Sequence, residues 1–168
     1  LAAQVKGTRP SRALPYELHA SARGDARESR VRLLFANASS AKTAAVFHVY
    51  DKLHLDRIPR RYVVEAGKSL DDAWDVGGDA GKYDLWVLGP NGFHRAFAGD
   101  LMQAGGAQPE IQVCYVPCDD PRVQVKLHNT GAKACTFSVK ALAYHGDGPW
   151  TATLEPRQTR QLAWPISH

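Results

Sequence analysis

Apolar and polar positions alternate along most of this chain. In "VRLLFAN", Val31, Leu33 and Phe35 share one face, the period-two pattern of a half-buried strand. "YELHASA" alternates in the same way through Tyr16, Leu18 and Ala20. "AVFHVYD", "YVVE", "KYDLWVL" and "FHRAFAG" are short, rich in β-branched and aromatic residues, and bounded by turn residues. Those turns are marked by Gly24-Asp25, Ala38-Ser39-Ser40, Ala66-Gly67-Lys68, Gly77-Gly78-Asp79 and Pro90-Asn91-Gly92. Strands broken by turns at such short intervals predict a β-sandwich. "GPNG" predicts a tight hairpin turn in which Gly92 takes positive φ. No convincing helix of ten residues is present.

The pattern then restarts. Val31, Leu33, Phe35 and Asn37 align with Val123, Val125, Leu127 and Asn129. "YVVEAGKSLDDAW" aligns with "ATLEPRQTRQLAW", which pairs Glu65 with Glu155 and Trp74 with Trp164. Such self-similarity predicts two copies of one β-module: residues 12–101, a Gly- and Ala-rich linker at 102–109, and residues 110–168. The expected fold is therefore all-β, with tandem immunoglobulin-like sandwich modules. The second is incomplete, because nothing in it matches "GKYDLWVLGPNGFHRAFAGD", the last hairpin of the first. A module short of two strands leaves part of its inner face uncovered and a strand edge open. This predicts a longer parent chain or a partner that supplies the missing strands.

Composition narrows the function classes. The chain is 44% hydrophobic and 23% charged, as globular domains are. No apolar run is long enough to span a bilayer. The first residues, "LAAQVKGTRPSRALP", lack the basic and apolar regions of a signal peptide, as a mature or truncated chain also would. The net charge of +4 is too diffuse to predict a nucleic-acid partner.

The candidate chemistry gathers in "HVYDKLHLDRIPRRY". His48, Asp51, His54 and Asp56 include metal-ligand types, but their spacing matches no standard signature. No metal site or cofactor is predicted. Arg57, Arg60 and Arg61 could hold a phosphate in bidentate geometry, yet no glycine-rich loop leads into a helix here. A solvated basic loop is the competing reading. No nucleophile elbow is present, and Asp71 and Asp72, adjacent in a strand, point to opposite faces. No catalytic set is complete. Trp74 and Trp164, at equivalent repeat positions, predict core packing. Trp150, after Gly148-Pro149, is placed in a loop and is the best candidate to touch lipid or choline, with plain packing as the favoured reading beside it. Of Cys114, Cys118 and Cys135, the strand model brings Cys114 nearer Cys135. Cys118 lies about 13 Å further along at ~3.4 Å per residue. A Cys114–Cys135 disulfide and three reduced thiols both remain open.

"RALPYELHASA", "VRLLFAN", "AVFHVYDKLHLDRIPRRYVVEAGKSLDDAW" and "GKYDLWVLGPNGFHRAFAGD" resemble the duplicated C-terminal domain of bacterial phosphocholine-preferring phospholipase C. The resemblance is specific over residues 12–100 and looser from Glu110 to His168. It implies an exported parent enzyme, secreted or periplasmic. That enzyme would hydrolyse phosphatidylcholine, and in some members sphingomyelin, to diacylglycerol or ceramide plus phosphocholine. The family's catalytic region and any metals would lie upstream, so no catalytic residue is carried over. The implied partners are that catalytic domain and a phospholipid surface, with Trp150, Arg57, Arg60 and Arg61 as candidate lipid contacts. A carbohydrate- or protein-binding sandwich module is the alternative.

Overall fold

The computed structural model describes residue 7 and residues 14–103, 105–116, 121–143 and 145–166. Residues 12 and 13, at the expected start of the first copy, and Cys118 lie outside them. The first part of the chain forms β1 (Leu18–Asp25), β2 (Arg30–Asn37), β3 (Ala45–Asp51), β4 (Arg60–Val64), β5 (Lys68–Asp75), β6 (Lys82–Leu88) and β7 (His94–Asp100). The second part forms β8 (Pro109–Val116), β9 (Arg122–Asn129), β10 (Cys135–Val139), β11 (Trp150–Leu154) and β12 (Thr159–Pro165). Helical structure among the described residues is limited to 3-10 turns at Gly77–Asp79 and Pro90–Gly92. The protein is all-β, and its strand pairs are antiparallel.

Alternation decides which side chains meet. In β2, Val31, Leu33, Phe35 and Asn37 are buried, and in β3 Ala45, Phe47, Val49 and Asp51 are. The sheet β1-β2-β5 packs by this face on the sheet β4-β3-β6-β7. The Phe35 ring stacks on Tyr62 at 4.6 Å and lies 5.2 Å from Phe47, which meets the edge of Phe93 at 5.8 Å. Leu85 and Val87 of β6 close the layer with no exposed surface. The β6–β7 turn is the expected one: Gly92 has φ +77°, and Gly89 N–H donates to the Phe93 carbonyl at 2.8 Å.

A second core follows. The sheet β12-β9-β8 and the pair β10-β11 enclose Val125, Leu127, Phe137, Ala152 and Leu154. Its pairings match the first. Val31 faces Trp74 across β2 and β5, and Val123 faces Trp164 across β9 and β12. Asn37 and Asn129 close the two strands alike, each fully buried. Asn37 Nδ2 donates to the carbonyls of Thr43 (2.8 Å) and Val64 (3.3 Å). Asn129 Nδ2 donates to those of Lys133 (2.7 Å), Leu154 (3.2 Å) and Glu155 (3.3 Å). Each amide thus ties its own strand to the opposite sheet.

The two parts touch. β1 lies beside β8, and the Arg23 guanidinium pairs with Glu110, which is only 9% exposed. Thr130 Oγ1 donates to the same carboxylate at 3.0 Å. Within the stretch read as a linker, Gly106 and Gln108 accept from Ala132 N–H and Thr130 N–H at 2.9 and 3.0 Å. Gly131 allows this approach, since a Cβ there would sit 2.4 Å from Gln108 N and Gly106 O.

The two asparagines differ in one respect. Asn129 Oδ1 accepts from Gly131 N–H at 3.0 Å and Gln108 N–H at 3.4 Å, whereas Asn37 Oδ1 has no partner. Stranding buried backbone groups costs about 1–3 kcal/mol each. Asn129→Ala is therefore expected to destabilise the chain by about 2–3 kcal/mol, and Asn37→Ala by less. Urea denaturation of both variants measures this, and an equal loss would show that the carbonyl oxygen contributes nothing.

Candidate functional site

The β3–β4 connection ties down most of its polar groups. Asp51, at the end of β3, is buried; its carboxylate accepts from Leu53 N–H at 3.1 Å and from Arg57 Nη1 at 3.2 Å. His54 Nε2 lies 2.7 Å from Asp79 Oδ1. Lys52 Nζ reaches Asp84 at 3.0 Å and stands 4.6 Å from the centre of the Trp86 ring. Among the described residues no three His, Cys, Asp or Glu side chains come together as a metal site would need.

Arg60 and Asp72 do meet. Arg60 Nη1 donates to Asp72 Oδ2 at 2.9 Å, and its guanidinium lies 4.2 Å from the centre of the Trp74 ring. The Tyr62 hydroxyl donates to the same carboxylate oxygen at 2.6 Å. Burial pushes the Tyr62 phenol up to about 12, and the hydrogen bond to Asp72 adds to it. Burial also works against ionising Asp72, but the Tyr62 hydroxyl, the Ala73 N–H and Arg60 outweigh it and hold the carboxyl below its usual range. The Asp72 carboxylate clamps β4 to β5.

With these groups paired, the loop turns apolar side chains to water. Leu55 is 67% and Ile58 90% exposed. The outer face of the four-stranded sheet continues the surface. Val63, 62% exposed, lies across from Val46, and Trp86 and Leu88 present part of their surface beside Tyr50 and His48. Arg61, across from His48, is exposed and has no carboxylate partner among the described residues. Of the three arginines singled out in the sequence, Arg57 and Arg60 are held by carboxylates, and Arg61 faces out on the sheet.

Trp150 is not in a loop. It opens β11, is half-buried, and packs against Trp164 with ring centres 4.8 Å apart and against His145 at 6.3 Å. These residues line a groove of about 360 Å³ with Tyr115, Val123 and Val139. Of the two cysteine readings left open, the structure has Cys114 and Cys135 as free thiols. Val113 packs on the second core, as Cys135 does. Cys114, one residue along the strand, points to the opposite face.

Sequence reasoning missed the apolar outer face. The signal was present in β6, where Leu85, Trp86, Val87 and Leu88 run consecutively, and in the Val63-Val64 pair of β4. An apolar residue on both phases of a strand marks a sheet with two apolar faces.

Comparison with known proteins places this chain in a family. The model for the C-terminal domain of bacterial phospholipase C matches twice, over residues 10–100 and 109–168. The chain is 38% identical over 168 residues to a non-hemolytic phospholipase C of Pseudomonas aeruginosa, covering 97% of this chain and 24% of that protein. It is 36% identical over 165 residues to a non-hemolytic phospholipase C of Burkholderia pseudomallei, covering 97% and 23%. A hemolytic phospholipase C of Pseudomonas aeruginosa is 34% identical over 185 residues, covering 98% and 25%. The chain thus spans about a quarter of the length of these relatives.

The Tyr62 phenol carries a direct test. Its pKa is higher folded than unfolded, so the folded state holds the proton more tightly and stability falls as pH rises from about 10 through about 12. Absorbance titration at alkaline pH is expected to show two tyrosines ionising late, Tyr62 near 12 and Tyr83, whose burial also pushes its phenol up. Tyr62→Phe should leave only the Tyr83 component and flatten the loss of stability above pH 10. Retention of two late components in the variant would assign the second to another tyrosine.

Proposed function

Because this chain belongs to the family of bacterial phospholipase C C-terminal domains, we propose that it is the non-catalytic C-terminal region of a secreted phospholipase C. The parent enzyme acts on phosphatidylcholine, and on sphingomyelin in the broader reading, releasing phosphocholine. The region consists of two tandem β-sandwich modules that pack on the catalytic domain and present it to lipid. The phospholipid surface is met by the β3–β4 loop and the outer face of the four-stranded sheet.

The exposure of Leu55 and Ile58 beside Arg61 carries this reading. Apolar side chains held in water at a loop tip gain by entering the acyl boundary of a bilayer, and a neighbouring cation gains at the headgroup level. Arg57 and Arg60 shape the loop through Asp51 and Asp72 and leave Arg61 to meet phosphate. Trp150, packed on Trp164, belongs to a different surface.

Co-sedimentation with phosphatidylcholine vesicles, with and without anionic lipid and at low and high salt, tests the proposal. Each of Leu55 and Ile58 brings about 1.5–3 kcal/mol if fully buried. The Leu55→Ser, Ile58→Ser double variant is therefore expected to bind at least about tenfold more weakly. Arg61→Ala should weaken binding mainly to anionic vesicles at low salt. Absence of binding by the unsubstituted chain would leave packing on the catalytic domain as its role. Saturable binding to a glycan instead would favour a carbohydrate-binding module.

A further inference from the structure

The two cores are built alike but are not covered alike. In the first, β3 has a neighbour on each side, β4 and β6. In the second, β10 corresponds to β3: Cys135, Phe137 and Val139 stand where Ala45, Phe47 and Val49 stand. Yet among the described residues β10 pairs with β11 alone. None of the described strands pairs with its other edge.

The inner face of the opposing sheet shows the effect. Val31 and Leu33 have essentially no exposed surface, and Trp74 is buried. The counterparts of Val31 and Trp74, Val123 and Trp164, are only half-buried and line the groove, while Val125, the counterpart of Leu33, stays buried. The groove also takes in Val139, Lys140 and Ala141. These are the counterparts of Val49, Tyr50 and Asp51, the residues of β3 that pair with Val87, Trp86 and Leu85 of β6. The opening in the second core therefore lies where β6 lies in the first.

We propose that this groove seats an antiparallel β-strand supplied by the part of the polypeptide outside this chain. Its apolar residues, two apart, would take the positions that Leu85 and Val87 hold in the first core. The template fixes the chemistry: an extended backbone hydrogen-bonds to the free edge of β10, and alternate side chains enter the groove against Val123 and Trp164. The groove lining is mainly apolar, with Lys140 and His145 as its polar members. The source of the strand rests on the reading of the chain as one end of a longer phospholipase C. The relatives carry about three-quarters of their length outside the matched region.

Two measurements test the two parts separately. A synthetic Gly81–Asp100 peptide carrying Trp86→Phe is titrated into the 168-residue chain while tryptophan emission is followed. Trp150 and Trp164 lose water as the strand seats, so a saturable blue shift is expected. A peptide that also carries Leu85→Asp and Val87→Asp should bind at least about tenfold more weakly. Because the substitutions are in the peptide, the folding of the protein is untouched. No saturable shift, or equal binding of both peptides, overturns the proposed groove whatever the liposome result.

Hydrogen exchange at the β10 amides is then compared between the 168-residue chain and the full-length gene product. Exchange at least about tenfold slower in the full-length protein is expected for an occupied edge. Equal rates overturn the source. Protection in the 168-residue chain that rises with its concentration assigns the edge to a second copy and overturns the source equally.

Discussion

A sheet with an apolar face must cover it with a second layer, and the rest of this structure follows from how that requirement is met twice. The first core meets it with seven strands. Phe35, Phe47 and Tyr62 fill the centre, and Leu85 and Val87 close the side. The second core meets it with five, and its covering layer is only the β10-β11 pair. The same constraint acts on the backbone. Where a strand must end between two layers, its neighbours' carbonyls are left without water. Asn37 and Asn129 donate to them from inside the sandwich.

Charge is arranged around this frame rather than within it. Among the described residues Asp51 and Glu110 are the buried acidic groups, and each is met by an arginine, as the more exposed Asp72 is: Arg57, Arg23 and Arg60. Pairing of this kind offsets desolvation more than it adds net stability. What it supplies is position. The β3–β4 loop, β4 against β5, and β1 against β8 are each fixed by one such contact. Asp51, His54, Arg57 and Arg60 are thereby spent on shape, and Leu53, Leu55 and Ile58 are left facing outward.

Local periodicity made the strands legible. The alternation of Val31, Leu33 and Phe35 and the recurrence at Val123, Val125 and Leu127 led to the strands and registers found. The turn at Asn91-Gly92 was equally plain, because positive φ leaves few residues to choose from. What depends on contact across the fold was hidden. His54 meets Asp79, a residue 25 positions away, so the fate of its imidazole was not written in its own neighbourhood. Trp150 was read as a loop residue from the preceding Gly-Pro, but β11 begins at that residue and turns the ring inward. Proximity along β8 left the cysteine pairing open, since it says nothing about which face Cys114 takes. The outer apolar face was overlooked because exposed valines and leucines look like core until the core is already filled.

The contact of β1 with β8 bears on the order in which the chain takes shape. The first core draws only on residues between Tyr16 and Leu101, so it can close once Leu101 has left the ribosome. Domains made in sequence fold as units in that order. β8 then emerges beside a strand that is already in place, and Glu110 finds Arg23 waiting at a fixed edge. In a chain folding in this order, the first core would serve as a template and spare the thinner second half some of the entropy of finding its own first alignment.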